Sequence, residues 1–252
     1  MKPTQEKPVA VVTGGTGGIG KSICGALARE GMRVVVGYNR SADGARELVD
    51  SLPGQGHAAL SAPVTDSAAL ASLASTIAKR YGQCDVLVNC AGTTRFVPHV
   101  DLEGLDDNLI DLILATNVRG PFAVLRALRP LLERSTHPGG AVVVNISSLA
   151  AVTAMGSNVM YCASKAAVDN MTKSLARALA PRIRVVSISP GLVETDFIKS
   201  MDQRWRDDQL DRTPLKRLAS PKEVAAAVVA AVKNLTFTTG AIIAIDGGRP
   251  LS

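Results

Sequence analysis

The sequence predicts an α/β protein in which seven parallel strands form a single doubly wound sheet with helices on both faces. Three observations predict it. Short apolar, β-branched runs alternate with longer Ala- and Leu-rich stretches along all 252 residues. The short runs are continuously apolar, as strands buried on both faces require. A glycine-rich turn joins the first run to the first helical stretch.

The strands are expected at Val9–Thr13, Arg33–Tyr38, Ala58–Ala62, Val86–Asn89, Ala141–Ser147, Arg184–Ser189 and Ala241–Ile245. Between them helices are expected at Gly18–Glu30, Asp43–Leu52, Ser67–Tyr81, Val159–Ala180 and Pro221–Val232, with one long helix from Leu105 to Arg134. Asp66 precedes one helix start, and Ser220 precedes another that has Pro221 and Glu223 in its first turn, as capping favours. Pro130 is expected to kink the long helix. The segment 196–214 is charged and holds the only tryptophan, Trp205. It reads as a mobile flap over a site, with an ordinary surface helix as the alternative. With 46% hydrophobic residues the chain can build one large core, so residues 1–252 are read as a single domain.

Several functional classes are disfavoured. Cys24, Cys84, Cys90 and Cys162 form no CxxC pair, and His57, His99 and His137 are scattered, so no metal site is expected. Reduced thiols in a cytoplasmic protein are the plain reading. Met1 to Lys7 is polar and leads straight into a strand, unlike a secretory leader. No run approaches the roughly 20 apolar residues of a membrane helix. The net charge of +6 is spread along the chain, without the basic blocks and interleaved aromatics of nucleic-acid binders. An anionic cofactor accounts for part of it.

The glycine turn runs Thr13-Gly14-Gly15-Thr16-Gly17-Gly18-Ile19-Gly20. Glycine permits a tight turn and close approach to a pyrophosphate, and the helix N-terminus that follows offers unpaired N–H groups. A glycine-rich turn alone is weak evidence; its place between strand and helix makes this one a dinucleotide site of the Rossmann type. A carboxylate ending the second strand would bind the free ribose 2′-hydroxyl of NAD(H) and repel a 2′-phosphate. This chain has Tyr38-Asn39-Arg40-Ser41 there, donors suited to a phosphate dianion, so NADP(H) is favoured and NAD(H) is the alternative. The competing reading of Arg40 is a solvated surface charge.

Further along stand Asn89-Cys90-Ala91-Gly92, Asn117, Ser148, Tyr161 with Lys165, Pro190-Gly191 with Thr195, and Asp246-Gly247-Gly248. Together with the glycine turn, and in this order, these elements resemble the short-chain dehydrogenase/reductase superfamily over essentially the whole chain. The run from Gly191 to Asp196 and the tail from Thr239 to Gly248 are most similar to the group containing 3-oxoacyl-carrier-protein reductases.

The resemblance implies hydride transfer between a nicotinamide and a carbonyl or secondary alcohol, with Asn117, Ser148, Tyr161 and Lys165 as the catalytic set. The chemistry of the residues agrees. Tyr161 and Lys165 are four apart on an expected helix and so project from one face. A phenol is a poor acid–base catalyst near neutrality, and a nearby ammonium favours its ionised form. Tyr161 then protonates the carbonyl oxygen, and Lys165 also holds the nicotinamide ribose. Ser148 can stabilise charge on the substrate oxygen; Ser147 competes, but the family serine stands thirteen residues before the tyrosine. Asn117 matches an asparagine that helps hold a relay water, with a purely structural amide as the alternative. Cofactor contacts implied by the same match are Thr13, Gly14, Thr16, Gly18, Ile19, Gly20, Tyr38, Asn39, Arg40, Val64, Asn89, Ala91, Gly92, Tyr161, Lys165, Pro190, Gly191, Val193 and Thr195. Asn89 also reads as a brace of the sheet, and Ile19 as a core residue.

One departure stands out. The family's Asp-Val pair after the third strand is replaced by Ala62-Pro63-Val64-Thr65-Asp66, and Pro63 has neither carboxylate nor N–H. Only the Val64 backbone remains for the adenine.

Substrate contacts are expected from residues 93–100, 149–160 and the flap. Phe96, Val152, Met155, Val159 and Phe197 are apolar and Arg95 and His99 polar, which favours a modest, partly apolar ketone over a sugar; the resemblance adds a 3-oxoacyl group as a substrate. Arg95 and His99 read more readily as surface residues. Arg126, Arg129 and Arg177 are candidates for meeting an acidic acyl-carrier protein, against the plainer reading of solvated helix arginines. The family also implies a homotetramer. The alternatives are an NAD-dependent alcohol or polyol dehydrogenase and, from another class, a nicotinamide-binding protein without turnover.

Overall fold

The structure, a computed structural model, describes residues 7–199 and 202–251, with Phe197 by its backbone alone. The expectations for Met1 to Glu6 and for the Phe197 side chain fall outside the described residues.

The strands are β1 Val9–Thr13, β2 Arg33–Tyr38, β3 Ala58–Ser61, β4 Val86–Asn89, β5 Ala141–Ile146, β6 Ile183–Pro190 and β7 Ile242–Ile245. They pair in parallel in the order β3-β2-β1-β4-β5-β6-β7. Each boundary falls within one residue of the expectation; the five inner strands are apolar runs buried along most of their length, whereas the edge strands β3 and β7 are partly exposed.

Ten α-helices are described: α1 Gly18–Arg29, α2 Ala42–Ser51, α3 Ser67–Tyr81, α4 Asp107–Leu114, α5 Gly120–Leu132, α6 Ala150–Thr153, α7 Val159–Leu179, α8 Asp196–Lys199, α9 Gln203–Asp211 and α10 Pro221–Lys233. Alternate strand residues serve opposite layers. Ala10, Val12, Val142 and Val144 pack with Ile23 and Leu27 of α1 and with Val224 and Val228 of α10. Val9, Val11, Ala141 and Val143 pack with Leu70 and Ile77 of α3 and with Leu125 and Leu128 of α5. Each such fully buried aliphatic side chain stabilises the fold by about 2 kcal/mol. The caps form as the sequence predicts: Asp66 accepts from Ala68 and Ala69 N–H, and Ser220 with Glu223 closes a capping box.

The single helix expected from Leu105 to Arg134 is corrected. It divides into α4, a π-helical segment Ala115–Arg119, and α5. The Gly120 N–H reaches the Ala115 carbonyl, and Pro121 has no N–H for the carbonyl of Asn117 four residues earlier. Gly120 also lies against the sheet side, where a β-carbon would come within 2.8 Å of Val64 Cγ2. Pro130 falls in the last turn of α5, which continues to Leu132. The segment 196–214 contains the two helices α8 and α9, and the short helix α6 falls within the 149–160 stretch expected to be a loop.

The strand order reverses at β1, whose neighbours are β2 on one side and β4 on the other. The crevice outside the carboxyl ends of the strands at such a switch point is where open α/β sheets bind ligands.

Candidate active site

A cavity of about 710 Å³ opens at that edge. The turn after β1 forms one wall. Gly14 has a φ of +63°, and a β-carbon there would meet Ala91 Cα at 2.8 Å; at Gly20 it would meet the Gly14 carbonyl at 2.2 Å. Only glycine permits this packing. The Thr13 hydroxyl accepts from the N–H groups of Cys90 and Ala91, both at 3.2 Å, and so ties the turn to the end of β4. The Gly17 N-cap of α1 has no side-chain cap and the first turn has no acidic residue, while Gly17, Gly18 and Gly20 line the cavity. A bare helix N-terminus in a glycine cradle suits an anionic pyrophosphate, so these residues fit a dinucleotide. Thr195 closes over the turn from the far side, its Cγ2 lying 3.2 Å from where a Gly18 β-carbon would stand.

The helix α7 carries the opposite wall. Tyr161 and Lys165, one turn apart, both face the cavity, with Lys165 Nζ 5.7 Å from the Tyr161 ring centroid. Lys165 is 7% exposed, and its ammonium donates to the Ile146 carbonyl at 2.8 Å, which anchors it to the end of β5. The two serines after β5 both line the cavity and differ in burial and bonding. Ser147 is buried and donates to the Lys165 carbonyl at 3.3 Å. Ser148 is half-buried on the cavity wall, its hydroxyl accepting from Ala150 N–H at 3.2 Å. The arrangement thus brings the Ser148 hydroxyl, the Tyr161 phenol and the Lys165 ammonium to one cavity beside the glycine turn.

Asn117 lies behind this wall. Its Oδ1 accepts from Thr93 N–H at 2.8 Å, and its Nδ2 donates to the Thr93 carbonyl at 3.0 Å and to Ser164 Oγ at 3.1 Å. A β-carbon on Gly92 would stand 3.5 Å from Asn117 Oδ1 and 3.8 Å from Lys165 Nζ, so Gly92 lies beside both. Burial pushes the neighbouring Cys90 thiol up to about 11, against the opposing pull of the Lys165 ammonium. The Cys24 and Cys84 thiols are also raised, mainly by burial.

Of the remaining sequence candidates, Gly14, Gly18, Ile19, Gly20, Gly92, Pro190, Gly191, Val193 and Thr195 line the same cavity. Thr13, Asn89 and Ala91 lie behind it; Asn89 donates to Asn145 Oδ1 at 2.9 Å and braces β4 against β5. Thr16 is half-buried in the turn, and Val64 is buried against Gly120. Tyr38, Asn39 and Arg40 end β2 at the same sheet edge, outside the cavity, with Asn39 and Arg40 exposed. The one carboxylate of the 62–66 run, Asp66, is occupied in capping α3.

Among the expected substrate contacts Phe96 and Met155 line the cavity, whereas Val152 and Val159 are exposed outside it. Arg95 pairs with Asp106 at 3.1 Å and His99 contacts the Gly156 carbonyl at 3.2 Å, both on the outer side of their loop. From the segment 196–214, expected to contribute substrate contacts, Trp205, Gln209 and Thr213 line the cavity, on α9 and the residues after it. The sequence reading missed Asn158 and Ser164. Asn158 had a visible signal, an N-capping residue three before Tyr161.

A family profile described as enoyl-(acyl carrier protein) reductase matches residues 14–249. The chain is 33% identical to the 3-oxoacyl-(acyl-carrier-protein) reductase FabG of Thermotoga maritima, over 96% of this chain and 98% of that one. Among solved structures it is similar to a short-chain dehydrogenase/reductase, glucose/ribitol dehydrogenase, from Brucella melitensis, with 28% identity, a TM-score of 0.87 and 96% of each chain covered. It is also similar to a 3-ketoacyl-(acyl-carrier-protein) reductase of the same organism, complexed with NADH, with 29% identity, a TM-score of 0.86 and coverage of 96% and 98%. Among the described residues no helix is long and apolar enough to cross a membrane. Sheet order, glycine turn and matched length lead to one family: the chain belongs to the short-chain dehydrogenase/reductases, nicotinamide-dependent oxidoreductases.

Proposed function

We propose that this protein reduces a ketone, of the 3-oxoacyl class or of similar partly apolar character, at the expense of NADPH. The observation that carries the reading is that Ser148, Tyr161 and Lys165 share one cavity with the glycine turn. A bound reduced nicotinamide supplies hydride to the carbonyl carbon. Gly14, Gly18 and Gly20 receive the pyrophosphate, Gly92, Pro190, Gly191, Val193 and Thr195 flank the nicotinamide half, and Lys165 holds its ribose. Ser148 donates a hydrogen bond to the substrate oxygen, and Tyr161 delivers its phenolic proton to that oxygen as charge develops. The Lys165 ammonium stabilises the phenolate left behind. Asn117, set behind the cavity wall, belongs to the path that returns a proton through water and Lys165 to the Tyr161 phenolate.

The choice of NADP(H) rests on the end of β2, where Tyr38, Asn39 and Arg40 offer donors and no carboxylate. Phe96 and Met155 on the cavity wall favour an acyl or other apolar chain beside the carbonyl. The glucose/ribitol dehydrogenase and the NADH complex among similar structures favour the second reading, an NAD-dependent alcohol or polyol dehydrogenase in which Tyr161 acts as base. We further propose a single domain with residues 196–214 as the substrate flap, a homotetramer, and a cytoplasmic location suited to four free thiols. If the substrate rides on a carrier protein, exposed Arg126, Arg129 and Arg177 are the cations to meet its acidic surface.

The test is reduced-cofactor oxidation with 3-oxoacyl thioesters, diketones, aldehydes and keto-sugars, with NADPH and NADH compared. Turnover of a 3-oxoacyl or diketone substrate with a lower KM for NADPH is expected. A lower KM for NADH overturns the cofactor assignment, and oxidation of alcohols or polyols alone overturns the direction and substrate class.

A further inference from the structure

The turn before α7 has a polar construction that the catalytic set does not use. Asn158 is the N-cap of α7, with extended backbone (φ −169°, ψ 171°), and is 1% exposed. Its Oδ1 accepts from the Tyr161 N–H at 2.7 Å. Its Nδ2 turns the other way and donates to the Arg95 carbonyl at 2.7 Å and to Thr94 Oγ1 at 3.2 Å. The loop after β4 and the turn before α7 are joined along their length by further bonds. Thr94 Oγ1 lies 2.5 Å from Ser157 Oγ, and the Val97 N–H donates to the Ser157 carbonyl at 2.8 Å. Asn117 holds the start of the same loop through both backbone groups of Thr93. Thr93, Thr94 and Phe96 of that loop line the cavity beside Tyr161.

We infer that Asn158 is a positioning residue, whose buried amide locks the start of the Tyr161 helix to the loop forming the neighbouring wall of the substrate cavity. The residue type carries the argument. A helix N-cap needs only an acceptor, which Ser, Thr and Asp also provide. A primary amide adds two donors, and here both are used on the loop. Aspartate would keep the cap and turn a carboxylate oxygen towards the Arg95 carbonyl; serine would keep the cap and fall short of the loop. Asn158 thus fixes where the phenol stands relative to the substrate wall, and misplacement of reacting groups by about 1 Å costs up to a hundredfold in rate.

This inference rests on the proposed reductase reading, and the experiment separates the two. Asn158→Ser, Asn158→Asp and Thr94→Val are compared with wild type for kcat, KM, NADPH dissociation constant and amide hydrogen exchange of residues 93–97. The two Asn158 variants are expected to lower kcat/KM on the order of tenfold to a hundredfold. They should raise KM, leave the NADPH dissociation constant unchanged and accelerate exchange in the loop. Thr94→Val, which leaves the helix cap intact, should move the same quantities in the same direction by less. Wild-type kcat/KM and loop exchange in the two Asn158 variants would reduce Asn158 to an ordinary cap and overturn the inference. Should both fail to fold, unchanged kcat/KM and exchange in Thr94→Val would overturn it equally. A wild-type protein that oxidises NADPH with none of the carbonyl classes defeats the reductase reading, and loop exchange still decides the role of Asn158.

Discussion

At the amino end of the strands Asp85, Arg184 and His57 are buried with their polar atoms turned onto the protein itself, whereas at the carboxyl end Ser148, Tyr161 and Lys165 face a cavity. Asp85, fully buried, accepts from the Val9 N–H at 2.7 Å, from Ser135 Oγ at 2.6 Å and from Gln83 Nε2 at 3.1 Å. Arg184 donates to the carbonyls of Gly139, Ala231, Val232, Leu235 and Thr238, gathering the end of α10. Desolvation lowers its guanidinium from the usual range. His57 accepts from the Val34 N–H at 3.0 Å. Buried polar groups are tolerable when paired, and here the pairing consumes them. At the other edge, glycines and side-chain bonds to the backbone hold the frame, and Ser148 and Tyr161 line the cavity. One end of the sheet spends its polar chemistry on stability, the other on function.

That contrast predicts a double dissociation. The largest effect belongs to Lys165→Ala, which removes the ammonium next to the phenol. Turnover should fall on the order of a thousandfold, with weaker NADPH binding and a melting temperature close to wild type. Near-normal turnover would place the functional edge elsewhere. Asp85→Ala should do the reverse. It strips the Val9 N–H and the Ser135 hydroxyl of their buried acceptor, at a cost of about 3 kcal/mol. Thermal unfolding would then come roughly 6–12 °C lower, while kcat on the folded fraction stays unchanged. A loss of kcat without a loss of stability would erase the distinction between the two ends.

The smallest effect lies at the cavity rim, where Arg217 and Glu223 form an exposed pair. The Arg217 guanidinium, helped by the Ser220 cap, holds the Glu223 carboxyl at about 2, below its ordinary 4.5. A carboxylate with a lowered folded-state value stabilises fully above its unfolded value and loses that contribution as pH falls through the folded one. The difference in melting temperature between wild type and Glu223→Ala should therefore be small, steady above about pH 4.5, and vanish towards pH 2. A difference that grows on acidification would contradict the pairing.

How far each edge could be read from sequence follows from the range of the interactions. The strands are legible because burial on both faces leaves an unbroken apolar run, as in Val142-Val143-Val144. The glycine turn and the Tyr161–Lys165 pair are legible because their geometry is local. The division of the long helix at Ala115–Arg119 is less so: Pro121 hints at it, whereas the close approach of Gly120 to Val64 joins residues far apart in sequence. Asn158 shows as a cap, but its loop partners stand 63 and 64 residues earlier. The choice between Ser147 and Ser148 came from a family spacing; the structure adds that Ser147 is turned onto the Lys165 carbonyl. The helices of 196–214 have weak apolar periodicity, and no side chain of α9 is fully buried, so their place on the cavity wall left little trace in the pattern.

The most direct measurement is turnover and NADPH affinity of Tyr161→Phe beside wild type, at saturating cofactor and with the best carbonyl substrate. The substitution removes one hydroxyl from the cavity wall and almost no volume. Turnover should fall by at least about a hundredfold, with the NADPH dissociation constant within error of wild type. Full turnover in Tyr161→Phe would show that the proton comes from another group.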